Sequence, residues 1–299
     1  MGNAILPPLR GSIALILHFL NSAFWCPLIY LLALVRLLLP VAAWRAGCSR
    51  GIIRLAEGWI RCTVGLTNAF GRIDWELQGL EGLRRDRWYL VVANHQSWVD
   101  LIALLKVVDG RLPFPKVFAK REMLWLPLIG LALLALDFPI MRRYSKAHLE
   151  KHPELRGRDL AATRHACRTS RLVPVLIVNF LEGTRCTPAK QARQGSPFRH
   201  LLRPKAGGVA FALNGMEGIL TTVLDLTIAY PAGVPTFWDF LCGRAGPVRV
   251  RMQQRPIPAP LQQGDYLNDP VYREAVQCWV DGLWREKDAL LETLLARQI

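Results

Sequence analysis

The stretch WYLVVANHQSWVDLIALLKVVDG, Trp88–Gly110, decides how this sequence is read. Trp88 to Ala93 is a β-branched and aromatic run that predicts a strand. Asn94 ends it, and the apolar stretch from Asp100 to Val108 predicts a helix closed by Asp109 and Gly110. Strand, tight turn and helix form the unit of an α/β sheet. The turn carries His95 and Asp100 in a His-x-x-x-x-Asp arrangement. On a regular helix that spacing is about 140° of rotation, so the two side chains would diverge. With His95 in the turn and Asp100 in the first helical turn they converge. The carboxylate can then accept a hydrogen bond from one imidazole nitrogen and leave the other as a base. Such a base takes the proton of an attacking hydroxyl, a contribution of roughly 10²–10⁴ in rate. Ser97 has no assured geometry as a nucleophile, and direct attack by a substrate hydroxyl is the preferred reading.

Outward from this unit, helices and buried strands alternate. Val117 to Lys120 reads as a short strand, and Met123 to Leu136 as an uncharged helix, too short to span a membrane and so buried or interfacial. Phe138 to Met141 leads into Arg142 and Arg143, and Arg158 to Ser170 has helical character. Leu172 to Phe180 and Leu220 to Tyr230 read as buried strands. Val248, Val250 and Met252 alternate with Arg249, Arg251 and Gln253, the pattern of a half-exposed strand. From Pro270 a helix capped by Asp269 carries apolar Val276, Trp279, Val280, Leu283 and Trp284. The expected fold is α/β, a mostly buried mixed sheet flanked by helices.

Further candidate residues sit at strand ends. NFLEGTR, Asn179–Arg185, places Glu182, Gly183, Thr184 and Arg185 where α/β sheets bind ligands. Gly183 permits close backbone approach, Arg185 offers a fork of donors for phosphate, and Glu182 can hydrogen-bond a polyol or pair with Arg185. Lys120, Arg142 and Arg143 suit an anionic headgroup, and Lys205 in LRPKAGG sits on a rigid turn. Taken singly, each is equally an ordinary turn or a solvated charge.

The chain has 299 residues, a formal net charge of +15 and 52% hydrophobic residues, which points to a polyanionic partner, nucleic acid or an anionic membrane. No nucleic-acid-binding signature accompanies the charge, so membrane is the expected partner and no nucleic acid is expected. Seven scattered cysteines with no Cys-x-x-Cys pair suggest neither a disulfide framework nor a zinc site. From Gly11 to Val35 no Asp, Glu, Lys or Arg occurs. Such a helix reaches about 37 Å, enough to cross a bilayer core. Asn21 and Pro27 interrupt it, leaving a kinked span or a re-entrant helical hairpin ending near Trp44 both open. Arg36, Arg45, Arg50, Arg54 and Arg61 follow the segment against Arg10 before it, placing the next domain on the cytoplasmic side. Residues 1–45 are thus an expected membrane anchor and 46–299 the chemical domain. Within the latter lie an amphipathic membrane-surface helix at about 50–64, a core at about 86–255 and a C-terminal helix at about 270–298.

In this order the motifs resemble those of the lysophosphatidic acid (1-acylglycerol-3-phosphate) acyltransferase family, over Trp88 to Pro231. The resemblance implies that His95 and Asp100 are the catalytic pair and that Glu182, Gly183, Thr184 and Arg185 bind the glycerol phosphate acceptor. It also assigns Arg143 to the acceptor phosphate. The chain departs from the family at Leu181, where proline is common, at Asp137, where the second motif begins with glycine, and at DLTIAYP, Asp225–Pro231. These variants look like the branch that includes lysophosphatidylinositol and lysocardiolipin acyltransferases as well as phosphatidic acid makers. The implied activity is transfer of an acyl group from acyl-CoA or acyl-ACP to a lysophospholipid, 1-acylglycerol-3-phosphate giving phosphatidic acid, with no metal or bound cofactor. The alternatives are another lysophospholipid acceptor, a thioesterase using the same pair, or a non-catalytic basic membrane-binding protein.

Overall fold

In the computed structural model, which describes residues 2–141, 161, 163, 166, 167, 170, 171 and 173–296, two long helices precede the sheet: α1 (Gly2–Leu38) and α2 (Ala42–Phe70). Then come β1 (Trp75–Gln78), β2 (Tyr89–Ala93), α3 (Val99–Val108), β3 (Phe114–Val117), β4 (Ala119–Lys120), α4 (Ile129–Ala135), β5 (Ile140–Met141) and β6 (Val175–Phe180). The chain continues through α5 (Pro188–Gln194), α6 (Gly207–Met216), β7 (Thr222–Ala229), α7 (Phe237–Leu241), β8 (Val248–Pro256) and α8 (Pro270–Ala296). Six strands form a mixed sheet in the order β1-β8-β7-β2-β6-β3, in which only the β7–β8 pairing is antiparallel; β4 and β5 make a separate parallel pair.

The apolar run that opened the reading becomes the central strand β2, buried at every position. Its side chains alternate between two cores. Leu90 and Val92 pack with Val209 and Leu213 of α6 and Val280 and Trp284 of α8. Tyr89, Val91 and Ala93 pack with Ile102, Ala103 and Val107 of α3. Both faces are covered, which is why the strand reads as a continuous hydrophobic run. Because β2 is parallel to both β6 and β7, the turns after Ala93, Phe180 and Ala229 open at the same edge of the sheet, where such sheets form their crevice.

Several elements differ from expectation for identifiable reasons. Met123–Leu136 is not one helix: a 3₁₀ turn, Arg121–Trp125, is separated from α4 by Pro127 and by Leu128 at φ 64°. Proline has no N–H to give, and a leucine in the left-handed region cannot continue a helix. The strand expected over Val117–Lys120 divides into the ends of β3 and β4 around Phe118, whose N–H bonds to Val178 O at 3.0 Å. Arg249 is not half-exposed but 4% exposed, because α8 covers that face; it pairs with Glu76 at 2.9 Å and donates to Leu294 O at 2.6 Å. The helical character of Arg158–Ser170 falls largely outside the described residues.

At the N-terminus, the helix expected at about 50–64 is the middle of α2, which starts at Ala42, so the boundary placed at residue 45 falls inside a helix. Its apolar stripe, Ile52, Ala56, Ile60 and Val64, packs on Ile29 of α1 and on Phe114, Ala135 and Leu136. The stripe is therefore covered by protein rather than turned to a lipid surface, while Arg50, Arg54 and Arg61 are exposed. At the other end Asp269 caps α8 as expected, accepting from the N–H groups of Val271 at 2.9 Å and Tyr272 at 3.1 Å. From the same helix the fully buried Lys287 pairs with Asp225 and donates to Leu226 O at 2.7 Å and Thr227 Oγ1 at 3.1 Å, holding β7 from below.

Candidate active site

The bend after β2 brings His95 and Asp100 together: His95 Nδ1 lies 2.8 Å from Asp100 Oδ2. Asp100 stands in the first turn of α3, where the helix N-terminus favours negative charge. Its Oδ2 also accepts from the N–H groups of Gln96 at 2.6 Å and Ser97 at 2.9 Å, and its Oδ1 accepts from the Tyr230 hydroxyl at 2.5 Å. The carboxylate is wholly buried, and this many donors are what such a buried charge requires. With Nδ1–H donated to Asp100, Nε2 is left as the acceptor, on a ring 19% exposed and tilted against Phe180 at 4.5 Å between centroids.

The turn is held from three sides. The Asn94 side chain donates to Ile228 O at 2.8 Å and accepts from Ile228 N–H at 2.9 Å, tying the turn to β7. Cys186 N–H donates to His95 O at 2.6 Å. Glu182 Oε1 accepts from His95 N–H at 2.9 Å and its Oε2 accepts from Leu202 N–H at 3.2 Å. The Glu182 side chain is 1% exposed and both oxygens serve backbone donors, so the substrate contact expected of it is replaced by a bracing role. Burial pushes the Glu182 carboxyl up to about 7, against the opposing pull of these two N–H groups.

The remaining residues of the motif behave differently. Gly183 turns the chain at φ 69°, a conformation that only glycine adopts without penalty. The Thr184 hydroxyl accepts from Lys190 Nζ at 2.7 Å. Arg185 is exposed, its guanidinium carbon 5.4 Å from the centre of the Trp98 ring, which holds it beside the dyad turn. Lys205 is exposed, and its N–H donates to Leu181 O at 2.8 Å, so it adjoins the Glu182 loop. Lys120 is exposed at the end of β4, in register with Met141. Arg143 lies outside the described residues.

Ser97 is excluded as a nucleophile by its own bonds: its hydroxyl donates to Pro235 O at 2.6 Å and accepts from Val99 N–H at 3.2 Å. Its N–H, a candidate oxyanion donor, is taken by Asp100. The Cys186 thiol is pushed up to about 12, by burial first and by the nearby Glu182 charge second, so it is not a reactive thiolate. Sequence reasoning missed Asn94 and Tyr230 as parts of the site. The available signals were a polar residue closing an apolar strand next to His95, and an aromatic hydroxyl ending the strand Leu220–Tyr230.

Asp137, standing where the resemblance calls for glycine, has φ 53° and is gripped by Arg36 through bonds of 2.9 and 3.3 Å. Aspartate is among the few residues that tolerate this region, so the departure keeps the backbone shape.

The chain is 26% identical over 215 residues to human 1-acyl-sn-glycerol-3-phosphate acyltransferase gamma, covering 68% of this chain and 52% of that protein. It is 24% identical over 255 residues to mouse lysocardiolipin acyltransferase 1, covering 80% of this chain and 62% of the relative. It thus spans about half the length of the curated relatives it matches. The fold is that of the Thermotoga maritima 1-acyl-sn-glycerophosphate acyltransferase PlsC, with a TM-score of 0.55 at 17% identity over 98% of this chain and 99% of that one. Residues 74–230, which hold β1 through β7 and every member of the dyad network, match the family described as Acyltransferase, and the chain belongs to that family.

Proposed function

We propose that the protein transfers an acyl group from a thioester, acyl-CoA or acyl-ACP, to the free hydroxyl of a lysophospholipid, with 1-acylglycerol-3-phosphate as acceptor and phosphatidic acid as product. The observation that carries this reading is the His95–Asp100 pair with Nε2 open, flanked by a serine in the same turn and a cysteine in the loop after β6 that are both unsuited to attack. The acceptor hydroxyl hydrogen-bonds Nε2, which takes its proton as the oxygen attacks the thioester carbon. Asp100 stabilises the imidazolium formed. The tetrahedral species collapses by breaking the C–S bond, and the imidazolium returns the proton to the departing sulfur. Arg185, positioned on Trp98, grips the acceptor phosphate, with Gly183 and Thr184 shaping the loop and Lys205, Lys120 and Arg143 adding positive charge. No metal or bound cofactor enters this chemistry.

The same reading places the protein on a membrane, the source of its acceptor. Leu6–Leu38 is long and apolar enough to cross one by length and composition. Yet α1 is fastened to the catalytic body at both ends. Gly11 lies so close to Cys242 that a Cβ there would sit 2.6 Å from its Sγ, Tyr30 donates to Leu128 O, and Arg36 grips Asp137. From Gly11 to Arg36 is about 37 Å of helix. A helix tied along that length to the domain beside it lies on one side of the bilayer with that domain. Its outward residues, Ile16, Phe19, Phe24 and Leu31, with Trp125 and Leu134, are exposed and apolar, and this is the side offered to lipid. The arginines that follow α1 suit the anionic surface of the cytoplasmic leaflet.

The test is incubation with labelled acyl-CoA or acyl-ACP and a panel of lysophospholipids, with chromatography of the lipid products, beside His95→Ala. Label in phosphatidic acid, lost in the variant, is the expected result. Label in another phospholipid corrects the acceptor, thioester loss without lysolipid points to hydrolysis, and transfer unchanged in the variant removes His95 from the mechanism.

A further inference from the structure

Among the described residues, Tyr230 is the one partner of Asp100 that comes from outside the turn after β2. The other three donors, His95 Nδ1, Gln96 N–H and Ser97 N–H, all meet Oδ2, while the Tyr230 hydroxyl alone among the described residues meets Oδ1. Its place is fixed by β7. Ile228, two residues earlier, exchanges both backbone bonds with Asn94, and the buried Lys287 grips Leu226 and Thr227 before it. The strand thus delivers the phenol to the far oxygen of the carboxylate, 3% exposed and away from water. Burial and the Asp100 charge hold the phenol well above its ordinary range, so it remains a donor at any working pH.

We propose, resting on the reading of His95 as base, that Tyr230 is a positioning residue that sets how basic His95 is. A buried carboxylate divides its charge among its donors. The hydroxyl draws charge to Oδ1 and fixes the carboxylate plane so that Oδ2 faces Nδ1. Without it, no donor among the described residues meets Oδ1, more charge falls on Oδ2, and the imidazolium is favoured. Among the described residues, the other charged or titratable groups around the pair are Glu182 and Cys186 after β6, Arg185 over Trp98, and Lys287 of α8, which acts on Glu182 from beneath. None of these touches Oδ1, so the effect of Tyr230 is separable from theirs.

The experiment reads His95 directly and needs no lipid substrate. Site-resolved carbethoxylation of His95 by diethyl pyrocarbonate, followed by mass spectrometry across pH, gives the midpoint at which the imidazole becomes reactive. In Tyr230→Phe the midpoint is expected to rise by about half a pH unit or more. With 3-fluorotyrosine at position 230, a stronger donor that preserves the fold, it is expected to fall. In acyl-transfer assays Tyr230→Phe is expected to lower kcat by roughly tenfold with KM for the lysolipid unchanged. Midpoints that stay put, or that move in the same direction in both proteins, overturn the proposal. Because the modification occurs without acyl transfer, its outcome stands apart from the fate of the acyltransferase reading.

Discussion

The catalytic turn and the α1–α2 hairpin solve opposite problems. In the turn, buried polar groups dominate: Asn94, Ser97, Asp100 and Glu182 are each at most 4% exposed, and each is satisfied by protein donors or acceptors. In the hairpin, α1 leaves most of its apolar surface uncovered. Ile29 and Ile52 are covered, but Phe19, Phe24, Leu31 and Leu37 are 59–67% exposed. One region is complete as the chain folds. The other leaves an apolar face open along a whole helix, and on the proposed reading lipid is the neighbour that covers it. On that proposal chemistry and location are carried by separate parts, and changes to one should leave the other standing.

The strongest way to break this division is at Asp100. Asp100→Asn keeps the shape but reverses the preferred imidazole tautomer, and acyl transfer should fall roughly 10³-fold. Retention on vesicles should be unchanged; release from vesicles would show that the two regions are coupled. The reciprocal change, Phe19→Ser with Phe24→Ser, should weaken vesicle partitioning at least about tenfold. In a detergent-solubilised assay kcat should stay at the wild-type value, and a loss there would place α1 inside the active site.

A subtler comparison concerns Glu182. Its folded-state value of about 7 lies above the ordinary carboxylate value of 4.5, so the native state holds this proton more tightly than the unfolded chain. The stabilising contribution is complete below about pH 4.5 and is lost as pH rises through about 7. Melting temperature should decline between pH 5 and 8, and Glu182→Gln should flatten that decline. An unchanged slope would mean that its two N–H partners keep the carboxylate ionised throughout.

Much of this was legible in the chain. The strand at Trp88, the bend that brings together two residues five apart, and the cap at Asp269 are local features, governed by side-chain pattern and backbone geometry over a few residues. The Glu-Gly-Thr-Arg motif was legible as to position but not as to role. Whether a carboxylate faces substrate or backbone depends on what packs behind it, here the Leu202 loop. Periodicity likewise exposed Arg249 on paper, because it cannot see that α8 returns to cover that face of β8. The uncharged run Met123–Leu136 looked continuous, since nothing local announces a leucine at positive φ held by the close passage of Gly130 against Leu124 O.

By itself, then, the sequence determined the α/β class, the His–Asp pair, a strongly basic charge and an apolar N-terminus of membrane-spanning length. The tertiary structure alone decided that Tyr230, 130 residues along the chain from Asp100, completes its coordination, that Glu182 braces the turn, and that α1 runs along the domain instead of leading away from it. The physical reason is the same in each case. Propensity and pattern act over one or two turns of chain, whereas the satisfaction of a buried charge and the covering of an apolar face depend on segments that meet only after the sheet has assembled.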